Sequence, residues 1–222
     1  MQFDTSGGLF KICEWLYRLA LLNMLAIGFT LLGGIVLGFF PAITAMFSLN
    51  NKWLKTEEFP IMKEFWKAYK QQFVKSNLLG GLIVVTATAL YIDFVLVQNF
   101  NGILYYLILS SSATVLVLSF IVLLYVFSLM IEFPDNGLMK QIKRAIQVST
   151  LFPLQTIWMG LSLVSFLFIC WVIPGFAFLF LGSGLTFIAM YFSQFALKRL
   201  DKYKTLPSNV RIIEERGALH GE

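Results

Sequence analysis

Between Arg144 and Lys198 no residue of this chain carries a charge. A helix crossing the hydrocarbon core of a bilayer uses about 20 apolar residues. The run is too long for one such helix and long enough for two. Pro174-Gly175 divides it, since proline opens a helix well and Pro-Gly marks a turn. The composition agrees: 58% of residues are hydrophobic and 13% charged, where a soluble domain carries roughly 25% charged residues. Too few polar residues remain to clothe a soluble core, which excludes a soluble globular enzyme.

Other charge-free runs mark further helices: Leu19–Asn51 and Phe94–Ile131, with Asn77–Val97 interrupted only by Asp93. Five spans are expected at about 19–39, 77–97, 103–130, 153–172 and 176–196, with Pro41 ending or kinking the first. The fold class is an all-α polytopic membrane helix bundle, a membrane domain over 1–197 followed by a basic tail over 198–222. Asp4 and Glu14 stand where a signal peptide would be basic, so the first apolar segment reads as a retained helix.

Five spans place the termini on opposite faces. Segments 50–76, 132–152 and 198–222 then share a side and hold all of the 17 Lys/Arg except Lys11 and Arg18. Cytoplasmic loops carry the excess of Lys and Arg, so the N-terminus is expected outside and the C-terminus in the cytoplasm. One alternative stays open. Gly28, Gly33, Gly34, Gly38 and Pro41 would let Leu19–Phe47 enter and leave on one face, with the N-terminus inside.

Three amphipathic helices are expected at the membrane surface, over about 8–18, 60–75 and 138–149. In 60–75, Ile61, Phe65, Tyr69 and Phe73 recur every four residues, and Lys63, Lys67 and Lys70 occupy the opposite arc. That is helical periodicity with a basic face, suited to the headgroup plane. In 138–149, Leu138, Ile142, Ala145 and Ile146 oppose Lys140, Lys143, Arg144 and Gln147. Such basic faces read as anchors to anionic lipid or as docking surfaces for a partner. The two segments also match weakly: Phe59-Pro60 with Phe133-Pro134, and Lys67-Ala68-Tyr69 with Arg144-Ala145-Ile146. Each precedes two spans, which reads as a parallel repeat.

Little in the chain carries chemistry. The sole histidine is His220, and the two cysteines, Cys13 and Cys170, are far apart. No nucleophile–base pair, phosphate loop or carboxylate pair has a recognisable spacing. No enzyme, cofactor or metal site is therefore expected, and no nucleic-acid-binding motif is present. Ionisable groups within a span are candidates by default, which singles out Asp93, expected near the outer interface. Asn23 and Thr44 are further polar candidates within the first apolar run. Ser110, Ser111, Ser112, Gln155, Ser193 and Gln194 read as helix-satisfying or interhelical groups. Small residues at Gly34 and Gly38 favour close packing within the chain.

The order of features resembles a known group. Gly38-Phe-Phe-Pro41-Ala42-Ile-Thr44-Ala45 ends the first apolar segment. Phe65-Trp66-Lys67-Ala-Tyr69-Lys70-Gln-Gln-Phe73 then leads to Lys75-Ser76-Asn77, and Pro174-Gly175 opens the last span. This resembles the YesL-like family of bacterial integral membrane proteins. The resemblance implies a bacterial cell membrane and an auxiliary role beside carbohydrate uptake, with subunits of an ABC-type sugar importer as partners. It implies no catalytic residues. Pro41, Ala42, Asn77 and Pro174 match as structural positions, with Thr44 expected to cap a helix after a break at Pro41. Two functions are weighed: a non-enzymatic accessory protein, and a small-solute permease or channel. Oligomeric state is left open.

Overall fold

The computed structural model describes residues 8–55 and 57–205. All its elements are α-helices: α1 Gly8–Leu32, α2 Val36–Leu54, α3 Ile61–Val97, α4 Ile103–Glu132, α5 Leu138–Leu151, α6 Pro153–Val172 and α7 Pro174–Thr205. Five are long and apolar enough to cross a membrane: Lys11–Leu32 of α1, then α3, α4, α6, and Pro174–Leu200 of α7. Four of them contain the spans expected at 77–97, 103–130, 153–172 and 176–196, so the all-α polytopic bundle stands. The first ends at Leu32 rather than 39, and its helix takes in the segment 8–18 expected as a separate surface helix. Residues of the basic tail from 206 onward lie outside the described ones.

The first apolar run departs from expectation. It breaks at Gly33–Ile35, and Pro41 sits inside α2. Gly34 and Ile35 both take positive φ, 74° and 62°. For a β-branched residue such as Ile35 that backbone is strained; Gly34 accepts it freely. Pro41 is tolerated in the helix because packing partners and nearby hydroxyls can re-satisfy freed backbone groups within a membrane bundle. Thr44 does not cap a helix. It lies buried inside α2, donates to the Phe40 carbonyl at 3.0 Å, and meets the Ser76 hydroxyl at 2.7 Å.

After the break, α2 folds back along α1. Trp15 near the start of α1 packs edge-on against Trp53 near the end of α2, 6.3 Å between ring centres. A side chain at Gly33 would collide with the Gly38 backbone, so only glycine permits this approach. Helix α7 registers both strokes. Asn23 of α1 donates to the Phe178 carbonyl, and Trp15 packs on Phe187. Asn50 of α2 donates to Thr186, and Gln194 to Asn51. So α1 runs antiparallel to α7, and α2 runs parallel to it. The 19 residues of α2 rise about 28 Å at 1.5 Å per residue. The two ends of this hairpin, Trp15 and Trp53, thus lie together.

Segment 60–75 is not a separate helix. It continues without interruption into the expected span 77–97 as α3. Its apolar face does not lie on a membrane surface but inserts into the bundle. Phe65, Ala68 and Tyr69 are buried, and the rings of Phe65 and Tyr69 pack tilted against Phe29 of α1 at 5.0 and 5.4 Å. The Tyr69 hydroxyl donates to the Phe29 carbonyl. By contrast 138–149 does form its own helix, α5, because Pro153 starts α6 immediately after it. Apolar burial gathers in two clusters. One joins α1, α2 and the first half of α3; the other joins α2 to α4, α5, α6 and α7.

Candidate functional site

Helix α2 is the centre of the bundle, touching α1, α3, α4 and α7. Its last turns carry Asn50, Asn51 and Lys52, which lowers its hydropathy and requires polar company. The Asn50 amide donates to the Thr186 hydroxyl at 3.0 Å. The Asn51 amide donates to the Glu132 carboxylate at 3.3 Å, while its carbonyl accepts from Gln194. Lys55 reaches both Glu132 oxygens at 3.0 and 3.1 Å. This belt fastens α2 to α4 and α7. Interhelical bonds of this kind contribute on average ~0.6 kcal/mol each within a membrane, so the belt fixes register more than it adds stability. The Asn50 carbonyl oxygen and the Ser193 hydroxyl are buried with no partner among the described residues.

Above this belt opens a half-enclosed cavity of about 470 Å³ between α1, α2, α4, α6 and α7. Phe39, Phe127 and Leu163 line it, and only Asn23, Thr30 and Thr186 bring polar side chains. A sugar needs hydrogen-bond partners around its whole rim, since unpaired buried hydroxyls are costly. These walls suit hydrocarbon instead.

The remaining candidates fall in separate places. Asn23 is buried and bonds α1 to α7 through the Phe178 carbonyl, 2.8 Å. Asp93 accepts a hydrogen bond from Ser112, clasping α3 to α4 toward the end opposite the lysines. Ala42 and Pro41 are buried where α2 meets its neighbours. Asn77 donates back to the Phe73 carbonyl at 2.9 Å, within α3, and Pro174 opens α7. Lys63, Lys67 and Lys70 are exposed along α3. They alternate with exposed Met62 and Trp66, and Lys70 lies over the Trp66 ring at 4.8 Å. On α5, Lys140 and Lys143 are exposed, whereas Arg144 stacks on Phe133 at 4.8 Å. Ile146, expected on the apolar face, is exposed; Gln141 is buried in its stead, donating to the Phe133 carbonyl.

One ion pair shifts a titration. The hydrogen bond from Lys52 holds the Glu64 carboxyl below its ordinary value against a smaller opposing effect of burial, with the charges of Lys52, Lys67 and Lys63 assisting. Among the described residues no three His, Cys, Asp or Glu cluster as metal ligands. Sequence reasoning passed over Asn50, Asn51 and Glu132. The signal was present as paired asparagines at the tail of an otherwise apolar run, a position that is costly unless each amide has a partner.

The arrangement defines a class: an all-α polytopic membrane bundle with one basic end. A family model described as "Protein of unknown function, DUF624" matches residues 19–94. Three Bacillus subtilis (strain 168) proteins are each 30% identical to this chain. The uncharacterized YteU matches over 91% of both chains, YesL over 91% of this chain and 95% of its own, and YesV over 79% and 84%. The chain belongs to this YesL-like family of unknown function. No solved structure matches it.

Proposed function

We propose that the protein is a non-enzymatic accessory component of a bacterial cell membrane, associated with carbohydrate uptake or utilisation, that docks through its basic end. The observation carrying this reading is the exposed face of α3. Lys63, Lys67 and Lys70 alternate there with Met62 and Trp66, on a helix whose other face is locked into the bundle by Phe65 and Tyr69. Exposed Trp and Met are enriched at protein interfaces, and a lysine face beside them suits anionic headgroups. The partners are anionic headgroups and subunits of an ABC-type sugar importer; the carbohydrate link rests on the family resemblance alone.

The basic end faces the cytoplasm in this reading, and both termini with it. The hairpin of α1 and α2 brings Arg18 to Trp53, at the end that holds Lys52, Lys55, Lys140, Lys143, Arg144, Lys198 and Arg199. The connections at the other end, Gln98–Gly102 and Ile173, hold none. That asymmetry supports a cytoplasmic assignment.

The test is gentle extraction of the tagged protein from its native membrane, with co-purifying proteins identified by mass spectrometry. Importer subunits are expected at stoichiometric recovery and are lost when Lys63, Lys67 and Lys70 are all replaced by Glu. An N-terminal tag cleaved by protease from outside intact cells would overturn the orientation. Recovery of the protein alone, together with solute flux in proteoliposomes, would replace the accessory reading with a small-solute permease.

A further inference from the structure

A second recess lies beside the cavity above, with Phe120 and Leu123 of α4 lining both. Helices α3 and α4 splay apart around a half-enclosed groove of about 540 Å³ that faces outward from the bundle. Its walls run from Leu79 to Leu90 on α3 and from Leu116 to Val126 on α4. Each wall is about 16 Å long at 1.5 Å per residue, half of a ~30 Å hydrocarbon core. The groove therefore has the depth of one leaflet. Thr86 and Ser119 are the polar side chains among its lining residues, and the Thr86 hydroxyl is already spent on the Leu82 carbonyl.

The groove's two ends differ in charge. Its basic-end mouth is closed by Ile142 of α5, and the next residue, Lys143, is exposed. On α3 the residue one turn before Leu79 is Lys75, whose ammonium reaches across to the Pro134 carbonyl at the α4–α5 connection. Met139 and Ile146, exposed on the same stripe of α5 as Ile142, continue the apolar surface around the mouth. Toward the far end, the walls continue into a stretch of α3 and α4 with no Lys or Arg. A hydrocarbon slot one leaflet deep, with cations only at its headgroup end, matches an amphiphile with one negative pole. Basic recesses between transmembrane helices are how such headgroups are held.

We propose that the α3–α4 groove binds one anionic phospholipid of the leaflet at the basic end, its acyl chain between Leu79–Leu90 and Leu116–Val126 and its phosphate at Lys75 and Lys143. This site is independent of the importer reading. It needs only that α3 and α4 lie in a bilayer.

The full-length protein, extracted in mild detergent and delipidated, would be titrated with phosphatidylglycerol or phosphatidylcholine. Bound lipid is counted by native mass spectrometry. The wild type is expected to retain one phosphatidylglycerol with about tenfold preference over phosphatidylcholine, a difference of ~1.4 kcal/mol. Lys75→Ala with Lys143→Ala should reduce that preference to near unity. Ala87→Trp, which fills the groove without touching a charge, should reduce retention of both lipids. Lys198→Ala with Arg199→Ala, exposed basic residues outside the groove lining, should change neither. Each variant is scored only if it elutes as a monodisperse species. Equal retention of the two lipids by the wild type would overturn the proposal. So would a Lys75/Lys143 variant that keeps the preference, or an Ala87→Trp variant that keeps full retention. A dimer of this chain that Ala87→Trp dissociates would seat a second copy in the groove and overturn it equally.

Discussion

Helix α3 and the pair α5–α6 begin alike and end differently. Each opens with an amphipathic basic segment, four lysines in the first and three Lys/Arg in the second, and each leads into a span. In the first case the two parts fuse into one helix of 37 residues. In the second they remain helices of 14 and 20 residues, jointed at Phe152. The joint is set by Pro153. A residue before proline is pushed out of helical backbone, and Phe152 takes φ −122° and ψ 62°. At the matching place in α3 stand Ser76 and Asn77, neither a breaker. The consequence reaches the surface. Because α3 is continuous, its amphipathic half stands along α1 and α2 and turns its lysines outward on a fixed helix. Helix α5 can pack across α4 at its own angle.

Exchanging the two junctions gives the largest expected effect. Asn77→Pro would remove the backbone bond to the Phe73 carbonyl and press a ring against it. It would also delete the Asn77 side-chain bond to that carbonyl. Interior proline costs about 3 kcal/mol or more, and the buried face around Phe65 and Tyr69 would lose its register with α1. We expect loss of monodisperse protein, or a large fall in thermal midpoint. Pro153→Ala should stay within about 1 kcal/mol of wild type, since proline at a first helical position makes no backbone bond to lose. Equal effects of the two changes would show that the junctions do not decide the difference.

The two hairpins that follow differ in the same sense, and an intermediate effect tests it. Helices α6 and α7 close tightly. A methyl group at Gly184 of α7 would collide with the Phe166 ring of α6. Helices α3 and α4 splay around their groove, and Gly81 of α3 has open space where its side chain would be. Gly184→Val should destabilise by about 1–3 kcal/mol, the range for overpacking. Gly81→Val should be close to neutral. Matched thermal-unfolding curves in one detergent would separate them; a costly Gly81→Val would mean that this face of α3 is covered in the folded protein.

Spans were legible in the sequence because they depend on the absence of charge, a property each segment carries by itself. The positions of Pro174 and Pro153 were legible for the same local reason. Two things were not. The break at Gly33–Ile35 lies in a run with a more conspicuous breaker, Pro41, and proline within a membrane helix is tolerated where neighbours re-satisfy the backbone. What decides between them is the contact of Gly33 with Gly38 and of both strokes with α7, which no local pattern encodes. Nor does periodicity say what an amphipathic face meets. The face of Phe65 and Tyr69 fits a headgroup plane and a protein groove equally well, and only the aromatic ring of Phe29 settles it. The polar belt at Asn50 and Asn51 was hidden similarly, since its partners Glu132, Thr186 and Gln194 lie far along the chain.

The smallest expected effect separates α3 from α5 by charge. Helix α3 carries Glu64 in its first turn, paired with Lys52 across the α2–α3 connection. Helix α5 has no acidic residue in its first turn. Folding lowers the Glu64 pKa, chiefly through that hydrogen bond. The pair's contribution is therefore complete above the unfolded carboxylate's value of about 4.3 and disappears as pH falls through the lower folded value. Both side chains are partly exposed, 30% and 19%, so solvent screens the pair and the contribution at neutral pH is about 1 kcal/mol or less. Glu64→Gln should thus lower the thermal midpoint slightly at pH 7, and its curve should converge on that of the wild type below pH ~4. A gap that persists unchanged into acid would mean that Glu64 acts by packing rather than by charge. The α3 segment would then be held, like α5, by its apolar face alone.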